Sequence, residues 1–324
     1  MNDRREFLSS SVSLATLATI AASGYSDRSS AATTTGTSPS VAPKEERDAD
    51  SEIRRGFVDV SFGQVHYRYA GQGPTVVLLH ASPGSSKQLE GLILRLAENF
   101  RVLSPDTPGN GDSTPLPLAN PDIADYSRGI LEFLDAMQVE SAAFYGSHTG
   151  ACLGSELALL APDRVSRLIQ DGVAIFTEAE REELIATYAH PFEPDLNGTH
   201  LVNAFMFCRD QFIFFPWYAS DKAHLRDVGL PPPGPLHDWV LEVLKAATTY
   251  HLAYRAAFAY PAEKRLPLVQ QPVLCIAAED DPLRAVTEEI TPSIPDGRYH
   301  QLPRFDADDY HARLNDAITS FLQG

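Results

Sequence analysis

The chain has 324 residues, of which 44% are hydrophobic and 21% are charged, as in an ordinary globular protein. This length allows one domain of about 250–280 residues and an extension. The formal net charge of −17 disfavours nucleic acids and anionic membrane surfaces as partners, because phosphate binding requires clustered Lys and Arg. We expect the acidic excess to solvate the surface instead.

The first 30 residues predict a targeting segment rather than a part of the fold. Arg4 and Arg5 precede Phe7 and Leu8, and an uncharged run rich in Ala, Ser and Thr follows over residues 9–24. That run is too short and too mildly apolar to remain in a bilayer, which requires about 20 strongly apolar residues. The segment resembles a twin-arginine export signal, and this resemblance implies a periplasmic or extracellular protein with no membrane contact after signal removal.

Residues 31–55 are rich in Ser, Thr, Ala, Pro and charge and have no periodic apolar pattern, so they predict a disordered linker. The chain has three cysteines, too few for a disulfide framework. Each of them, Cys152, Cys208 and Cys275, has apolar neighbours in the sequence. We expect all three to be buried thiols.

From Gly56 onward, strand-like and helix-like segments alternate, which predicts an α/β domain with a mostly parallel central sheet flanked by helices. The predicted strands are 57–62, 64–70, 75–80, 101–104, 141–147, 165–172, 272–277 and 298–302. The predicted helices are 86–99, 123–137, 151–161 and 308–322. The first two strands show the polar–apolar alternation of an antiparallel edge hairpin.

The alternation stops within residues 177–266, a proline-punctuated stretch with helical tendency. We interpret this stretch as a helical cap inserted between late strands of a core formed by 56–176 and 267–324. Such a cap would cover the strand ends, where ligands bind in open α/β folds. Its aromatic-rich segment 205–218 either lines the roof of a pocket for an apolar ligand or forms the core of the cap itself.

Residues 142–151 (Ala-Ala-Phe-Tyr-Gly-Ser-His-Thr-Gly-Ala) predict an apolar strand, a tight turn and the start of a helix. Gly146 and Gly150 flank His148 symmetrically. This is the context of the Gly-x-nucleophile-x-Gly elbow, in which glycines permit a sharp turn around a strained residue. The middle residue of such an elbow is usually Ser, and here it is His148.

The order of these segments resembles the α/β-hydrolase superfamily, and in particular its capped branch of haloalkane dehalogenases, epoxide hydrolases and carbon–carbon bond hydrolases. The resemblance extends over about residues 56–322. Residues 80–84 (His-Ala-Ser-Pro-Gly) are similar to the family's His-Gly-x-Pro-Gly turn, and 106–113 to its Asp-x-x-Gly-x-Gly-x-Ser loop. The elbow at 146–150 and the acidic turn at 278–282 complete the set.

This resemblance implies an α/β-hydrolase fold and specific site residues. The oxyanion donors would be the backbone amides of Ser82 and Thr149. The orienting acid would be Asp281, with Asp280 as the neighbouring alternative. His80 would be a structural residue at a strand end.

The histidine base of the family is missing from its expected place, the loop after the last strand. Residues 304–311 read Arg-Phe-Asp-Ala-Asp-Asp-Tyr-His. His300 lies within the last strand, and His311 belongs to the predicted closing helix. Both are more easily explained as surface or packing residues than as the base.

Two explanations compete for a site that lacks both the elbow serine and the usual histidine. In the first, His148 and Asp281 form a dyad in which His148 is a general base on water or on the Ser82 hydroxyl. In the second, the site has lost hydrolysis and binds a ligand silently. Ser147 is a weaker candidate nucleophile, because an elbow directs its side chain away from the pocket.

We expect no metal, because no His-x-His or His-x-x-x-His spacing accompanies His148. We also expect no organic cofactor. The expected activity is hydrolysis of a small, largely apolar ester-, lactone- or epoxide-like molecule, with His148 as general base oriented by Asp281. The alternative is a catalytically silent, ligand-binding member of the same fold.

Overall fold

A computed structural model of the chain describes residues 52–324. The predicted export signal (1–30) and most of the predicted linker (31–55) lie outside these described residues and remain predictions from the sequence. The first strand begins at Arg54, slightly before the predicted start of the domain at Gly56.

Eight strands form one sheet in the order β1-β2-β4-β3-β5-β6-β7-β8. β1 pairs antiparallel with β2, and β2 antiparallel with β4, whereas all the other neighbours are parallel. The mostly parallel sheet with an antiparallel edge hairpin is therefore confirmed. The strands are β1 (Arg54–Val60), β2 (Gly63–Ala70), β3 (Thr75–Leu79), β4 (Arg101–Pro105), β5 (Ala142–Ser147), β6 (Val165–Asp171), β7 (Val273–Ala278) and β8 (Gly297–Leu302).

Helices cover both faces of the sheet. One hydrophobic cluster joins the sheet to α2 and α3, and a second joins its other face to α1 and α10. The core helices are α1 (Glu90–Leu96), α2 (Ile123–Ala136), α3 (Thr149–Leu160), α9 (Arg284–Ile290) and α10 (Tyr310–Gln323). The sequence of β3 is continuously apolar because both faces of this strand are buried. Val77 and Leu79 enter the first cluster, while Val76 and Leu78 enter the second.

The cap consists of helices between β6 and β7, with a hydrophobic cluster of its own. Within the aromatic segment 205–218, Phe207, Phe212 and Phe215 are buried in that cluster, whereas Phe205 is 42% exposed. The interpretation of these rings as cap core is the one that the structure supports. The cap helices are α4 (Glu178–Thr187), α5 (Thr199–Ile213), α6 (Pro233–Lys245), α7 (Tyr250–Ala259) and α8 (Ala262–Arg265).

Helix α6 fastens the cap to the turn that follows β3. The indole Nε1 of Trp239 donates to the carbonyl oxygen of Pro83 at 2.7 Å. The hydroxyl of Ser85 donates to the carboxylate of Glu242 at 2.5 Å. Because these groups are buried, the cap lies tightly against this edge of the core.

All three cysteines are buried free thiols, as the sequence predicted. Within residues 52–324, no helix has both the length and the apolar character needed to cross a membrane.

Asp106 organises the loop after β4 from a fully buried position. Its carboxylate accepts hydrogen bonds from the amide and hydroxyl of Ser86 (2.8 and 2.5 Å), from His66 Nδ1 (2.8 Å) and from the amide of Asp112 (3.0 Å). Burial alone would raise the pKa of Asp106, but the hydrogen bonds from the side chains of His66 and Ser86 lower it to about 2.

Replacing Asp106 with asparagine is expected to lower the free energy of unfolding by about 3 kcal/mol, because His66 and Ser86 lose a buried charged acceptor. The depressed pKa of Asp106 contributes stability that is present above its ordinary pKa of 3.8 and is lost as the pH falls through about 2. Urea unfolding at pH 7 and across pH 2–4 measures both effects. Asp59→Asn, at an exposed carboxylate that accepts from Gln64, is the control. Equal free energies of unfolding for Asp106→Asn and Asp59→Asn would contradict the stabilising role of the buried Asp106 carboxylate.

Candidate active site

Three side chains converge where β5, β6 and β7 end at the same edge of the sheet. His148 follows β5, Asp171 ends β6 and Asp281 comes shortly after β7. The three strands are parallel neighbours, so their carboxyl ends meet, as at the ligand-binding edge of open α/β sheets. His148, Asp171 and Asp281 are 2%, 6% and 3% exposed, respectively.

The turn at His148 is sharp and strained. His148 has φ +48° and ψ −101°, a conformation that costs a side-chain-bearing residue about 1–3 kcal/mol. A Cβ atom at Gly146 would lie 2.2 Å from the carbonyl oxygen of Gly150, and one at Gly150 would lie 2.1 Å from that of Leu79. Both glycines are therefore required by close backbone contacts, and α3 begins directly after the turn at Thr149.

His148 and Asp281 form the central pair of the site. The distance between His148 Nε2 and Asp281 Oδ2 is 3.5 Å. The other carboxylate oxygen of Asp281 accepts from the amide of Leu283 at 2.7 Å, which fixes the orientation of the group. Among residues 52–324, His148 Nδ1 has no hydrogen-bond partner. With Nε2 turned toward the carboxylate, Nδ1 is the ring nitrogen left for a ligand.

Gly172 makes this pair possible. A Cβ atom at residue 172 would lie 2.7 Å from both Cδ2 and Nε2 of His148 and 3.4 Å from Asp281 Oδ2. Gly172 also has φ +75°, which glycine adopts without strain. The imidazole therefore occupies space that any larger residue after β6 would fill.

Asp171 is a site residue that our reasoning from the sequence missed. Its carbonyl oxygen accepts from the amide of His148 at 3.0 Å, and its carboxylate accepts from the hydroxyl of Tyr145. Burial raises the pKa of Asp171 to about 6; the hydrogen bond from Tyr145 opposes this rise, and the negative charge of Asp281 adds to it. The signal available in the sequence was a carboxylate at the end of an otherwise buried strand, directly before a glycine.

The two predicted oxyanion residues lie side by side. The amide of Ser82 donates to the hydroxyl oxygen of Thr149 at 3.4 Å. Thr149 is the first residue of α3, so its own amide belongs to the first turn, whose N–H groups have no acceptor within the helix. Ser82 is 1% exposed, and its hydroxyl has no hydrogen-bond partner within the described part of the chain.

The other histidines near the predicted site have different positions. His80 is engaged on both ring nitrogens: Nδ1 donates to the carbonyl of Ala81 at 2.8 Å, and Nε2 accepts from the amide of Thr107 at 2.9 Å. Burial lowers the pKa of His80, so this ring is a neutral structural group. His300 is exposed in β8 and His311 is half-buried on α10. Neither forms a hydrogen bond or ion pair with the His148–Asp281 pair within residues 52–324.

Asp280, the alternative to Asp281, supports the loop after β8. Its carboxylate accepts from the amide of Phe305 at 3.0 Å and lies 3.7 Å from the Arg304 guanidinium. Asp281, and not Asp280, faces His148.

One group of side chains has metal-like spacing. Ligand atoms of His66, Asp106 and Asp112 lie within 4.8 Å of one another. Asp106 already accepts from His66, and Asp112 is paired with Lys245 at 2.8 Å. The Arg68 guanidinium is also 3.8 Å from Asp106. Two members of the group, His66 and Asp106, are buried and Asp112 is exposed, and both carboxylates are paired with basic side chains of the chain itself.

The chain belongs to the α/β-hydrolase-fold family, since residues 74–303 match its family model. Among curated relatives, an uncharacterised protein of Mycobacterium tuberculosis is 32% identical over 103 residues, which cover 32% of this chain and 30% of the relative. An uncharacterised hydrolase of Saccharomyces cerevisiae is 34% identical over 114 residues, covering 34% and 39%. Bifunctional epoxide hydrolase 2 of Sus scrofa is 34% identical over 122 residues, covering 36% and 21%. The matches thus span well under two thirds of these relatives.

Solved structures agree on the fold over most of the chain. A hydrolase from Pseudomonas aeruginosa PA01 superposes with a TM-score of 0.63 at 23% identity, covering 83% of this chain and 98% of that one. Epoxide hydrolase A from Mycobacterium thermoresistibile superposes with a TM-score of 0.64 at 21% identity, covering 84% and 99%. At these identities the likeness establishes the shared architecture.

Proposed function

We propose that the protein is a hydrolase in which His148 is the general base and Asp281 orients it. The proposed substrate is a small, largely apolar ester-, lactone- or epoxide-like molecule. The observation that carries this proposal is the 3.5 Å distance between His148 Nε2 and Asp281 Oδ2, in a buried site at the carboxyl edge of the sheet. In this proposal, the histidine stands where the fold usually has its nucleophile.

The chemistry follows from the two ring nitrogens. Nε2 lies 3.5 Å from Asp281 Oδ2, a buried acceptor without a hydrogen-bond partner among residues 52–324, so a proton on Nε2 has an acceptor to approach and the lone pair stays on Nδ1. Nδ1 then accepts the proton of an attacking hydroxyl, and Asp281 stabilises the imidazolium that forms. The water-poor surroundings strengthen this charge interaction relative to bulk solvent.

One further observation supports the substrate class. Partial matches to an epoxide hydrolase and a haloalkane dehalogenase favour a small organic electrophile as substrate. Because His148 and Asp281 are 2% and 3% exposed, a substrate reaches them only when the cap or its loops shift.

A second candidate function, silent ligand binding, is favoured by one observation. The amide of Ser82, a predicted oxyanion donor, is already engaged by the Thr149 hydroxyl at 3.4 Å. A site that used this amide in catalysis would have to break that bond in each turnover. If the hydrogen bond between the Ser82 amide and the Thr149 hydroxyl persists when a ligand binds, this amide cannot stabilise an oxyanion, and the pocket binds the ligand without converting it.

Turnover of a panel of aryl esters, lactones and aryl epoxides by the full chain separates the two functions. We expect hydrolysis of at least one class, at a rate that depends on the His148 imidazole as a positioned general base. Incorporation of ¹⁸O from labelled water into the product would confirm hydrolysis. Calorimetric binding of a panel member, with no product at any pH from 5 to 9, would establish the silent alternative.

A further inference from the structure

Several buried polar atoms at the carboxyl edge of the sheet lack hydrogen-bond partners among residues 52–324, among them Ser147 Oγ and Asp281 Oδ2. Two more are the hydroxyl oxygen of Ser82 and Nδ1 of His148, in residues that are 1% and 2% exposed; these two atoms are not hydrogen-bonded to each other. A buried polar atom without a partner costs about 1–3 kcal/mol, so folded proteins rarely retain one without a use. One atom can donate a proton and the other can accept it.

The topology brings these two residues together. β3 and β5 are parallel neighbours, and Leu79 pairs with Gly146 at their carboxyl ends. Ser82 is the third residue after the end of β3, and His148 directly follows β5. The amide of Ser82 contacts the hydroxyl of Thr149, the residue after His148, at 3.4 Å. Ser82 therefore lies against the elbow turn itself.

We propose that Ser82 is the covalent nucleophile and that Ser82, His148 and Asp281 form a Ser-His-Asp triad. The serine occupies the turn after β3, and the histidine occupies the elbow after β5. This inference rests on the proposed function and narrows its substrate class to carboxylic esters and lactones.

The reaction has two balanced steps. The Ser82 hydroxyl oxygen attacks the carbonyl carbon while its proton passes to His148 Nδ1. The bond to the leaving alkoxide then breaks, and the alkoxide takes that proton, which leaves the acyl group on Ser82. Water attacks the acyl carbon and gives its proton to His148, and the proton returns to the Ser82 oxygen as the carboxylic acid departs.

Two other buried serines near the site provide a contrast. Ser85 donates to Glu242 and accepts from the amide of Lys87, so its oxygen has a structural role. Ser147 is fully buried at the end of β5, and its hydroxyl also lacks a hydrogen-bond partner within residues 52–324, so its difference from Ser82 lies in its position. It shares a strand face with Tyr145, which packs in the cluster formed with α1 and α10. Ser147→Ala is therefore the matched control for Ser82→Ala.

The test is labelling of the full chain with a biotinylated fluorophosphonate, followed by peptide mass spectrometry, together with hydrolysis of p-nitrophenyl acetate. We expect the label on Ser82. We expect Ser82→Ala to abolish labelling and to lower kcat by at least about 10³-fold, as loss of a covalent nucleophile does. Ser147→Ala should retain both. The melting temperature of Ser82→Ala should not fall, because the substitution removes an unpaired hydroxyl.

A label on Ser85 or Ser147, or a Ser82→Ala variant that hydrolyses the ester as fast as the wild type, would overturn the triad. If His148→Ala is inactive in the same assay while Ser82→Ala is active, water is the nucleophile and the proposed general-base function still stands. If both variants retain the wild-type rate, the inference and the proposed function fail together.

Discussion

His148→Ala is expected to lower kcat/KM by about 10²–10⁴-fold, the contribution of a positioned general base. The variant loses the imidazole that faces Asp281 across 3.5 Å, and no other ring nitrogen is paired with this carboxylate in residues 52–324. Steady-state kinetics on whichever ester, lactone or epoxide the wild type accepts measures the loss.

His311→Ala is the matched control, because His311 is half-buried on α10 without an ion pair to Asp281. It should retain wild-type turnover. His148→Gly adds a second check: it should be as inactive as His148→Ala but more stable by about 1 kcal/mol, because glycine relieves the strain of a positive φ. Wild-type rates in His148→Ala would refute the role of the imidazole.

The second large effect is expected at Gly172, which contributes no side chain to the site. In Gly172→Ala, the new Cβ would lie 2.7 Å from His148 Cδ2 and Nε2, so the imidazole must move away from Asp281. A displacement of about 1 Å in a catalytic group costs on the order of 10²-fold in rate. The positive φ of residue 172 adds about 1–3 kcal/mol of destabilisation. Turnover measurements and thermal unfolding record the two effects separately.

Gly198→Ala separates backbone strain from collision. Gly198 has φ +73°, close to the +75° of Gly172, but a Cβ atom there would meet only Leu201 Cδ1, at 3.8 Å. Gly198→Ala should lose about as much stability as Gly172→Ala, but its turnover should equal that of the wild type. Equal turnover in both glycine variants would show that the position of the imidazole does not limit the rate.

Local patterns predicted most of the fold. The alternation in β1 and β2, the continuous apolar run of β3 and the glycine spacing of the elbow each reflect forces within a few residues of chain. Asp281 was predicted from the resemblance to the α/β-hydrolase superfamily, and it lies 3.5 Å from His148 Nε2. The sequence of the aromatic segment 205–218 did not distinguish a cap core from a pocket roof, since aromatic rings in either place have the same sequence pattern.

Asp171 and the hydroxyl of Ser82 show what the local patterns do not contain. The importance of Asp171 comes from Tyr145 on the neighbouring strand and from the charge of Asp281, more than 100 positions away in the chain. Ser82 was predicted for its backbone amide. A chemical use for this side chain is indicated only by the burial of its hydroxyl without a hydrogen-bond partner, next to the turn that carries His148.

Hydrophobic periodicity and glycine spacing by themselves specify an α/β domain with a cap and a histidine at the strained turn, because these signals depend on neighbours in sequence. The proximity of His148 to Asp281 depends on the tertiary structure. β6 lies between β5 and β7, so the imidazole must cross the end of β6 to approach Asp281. It can do so because Gly172 leaves the space open, and that space depends on the packing of three strands rather than on any one of them.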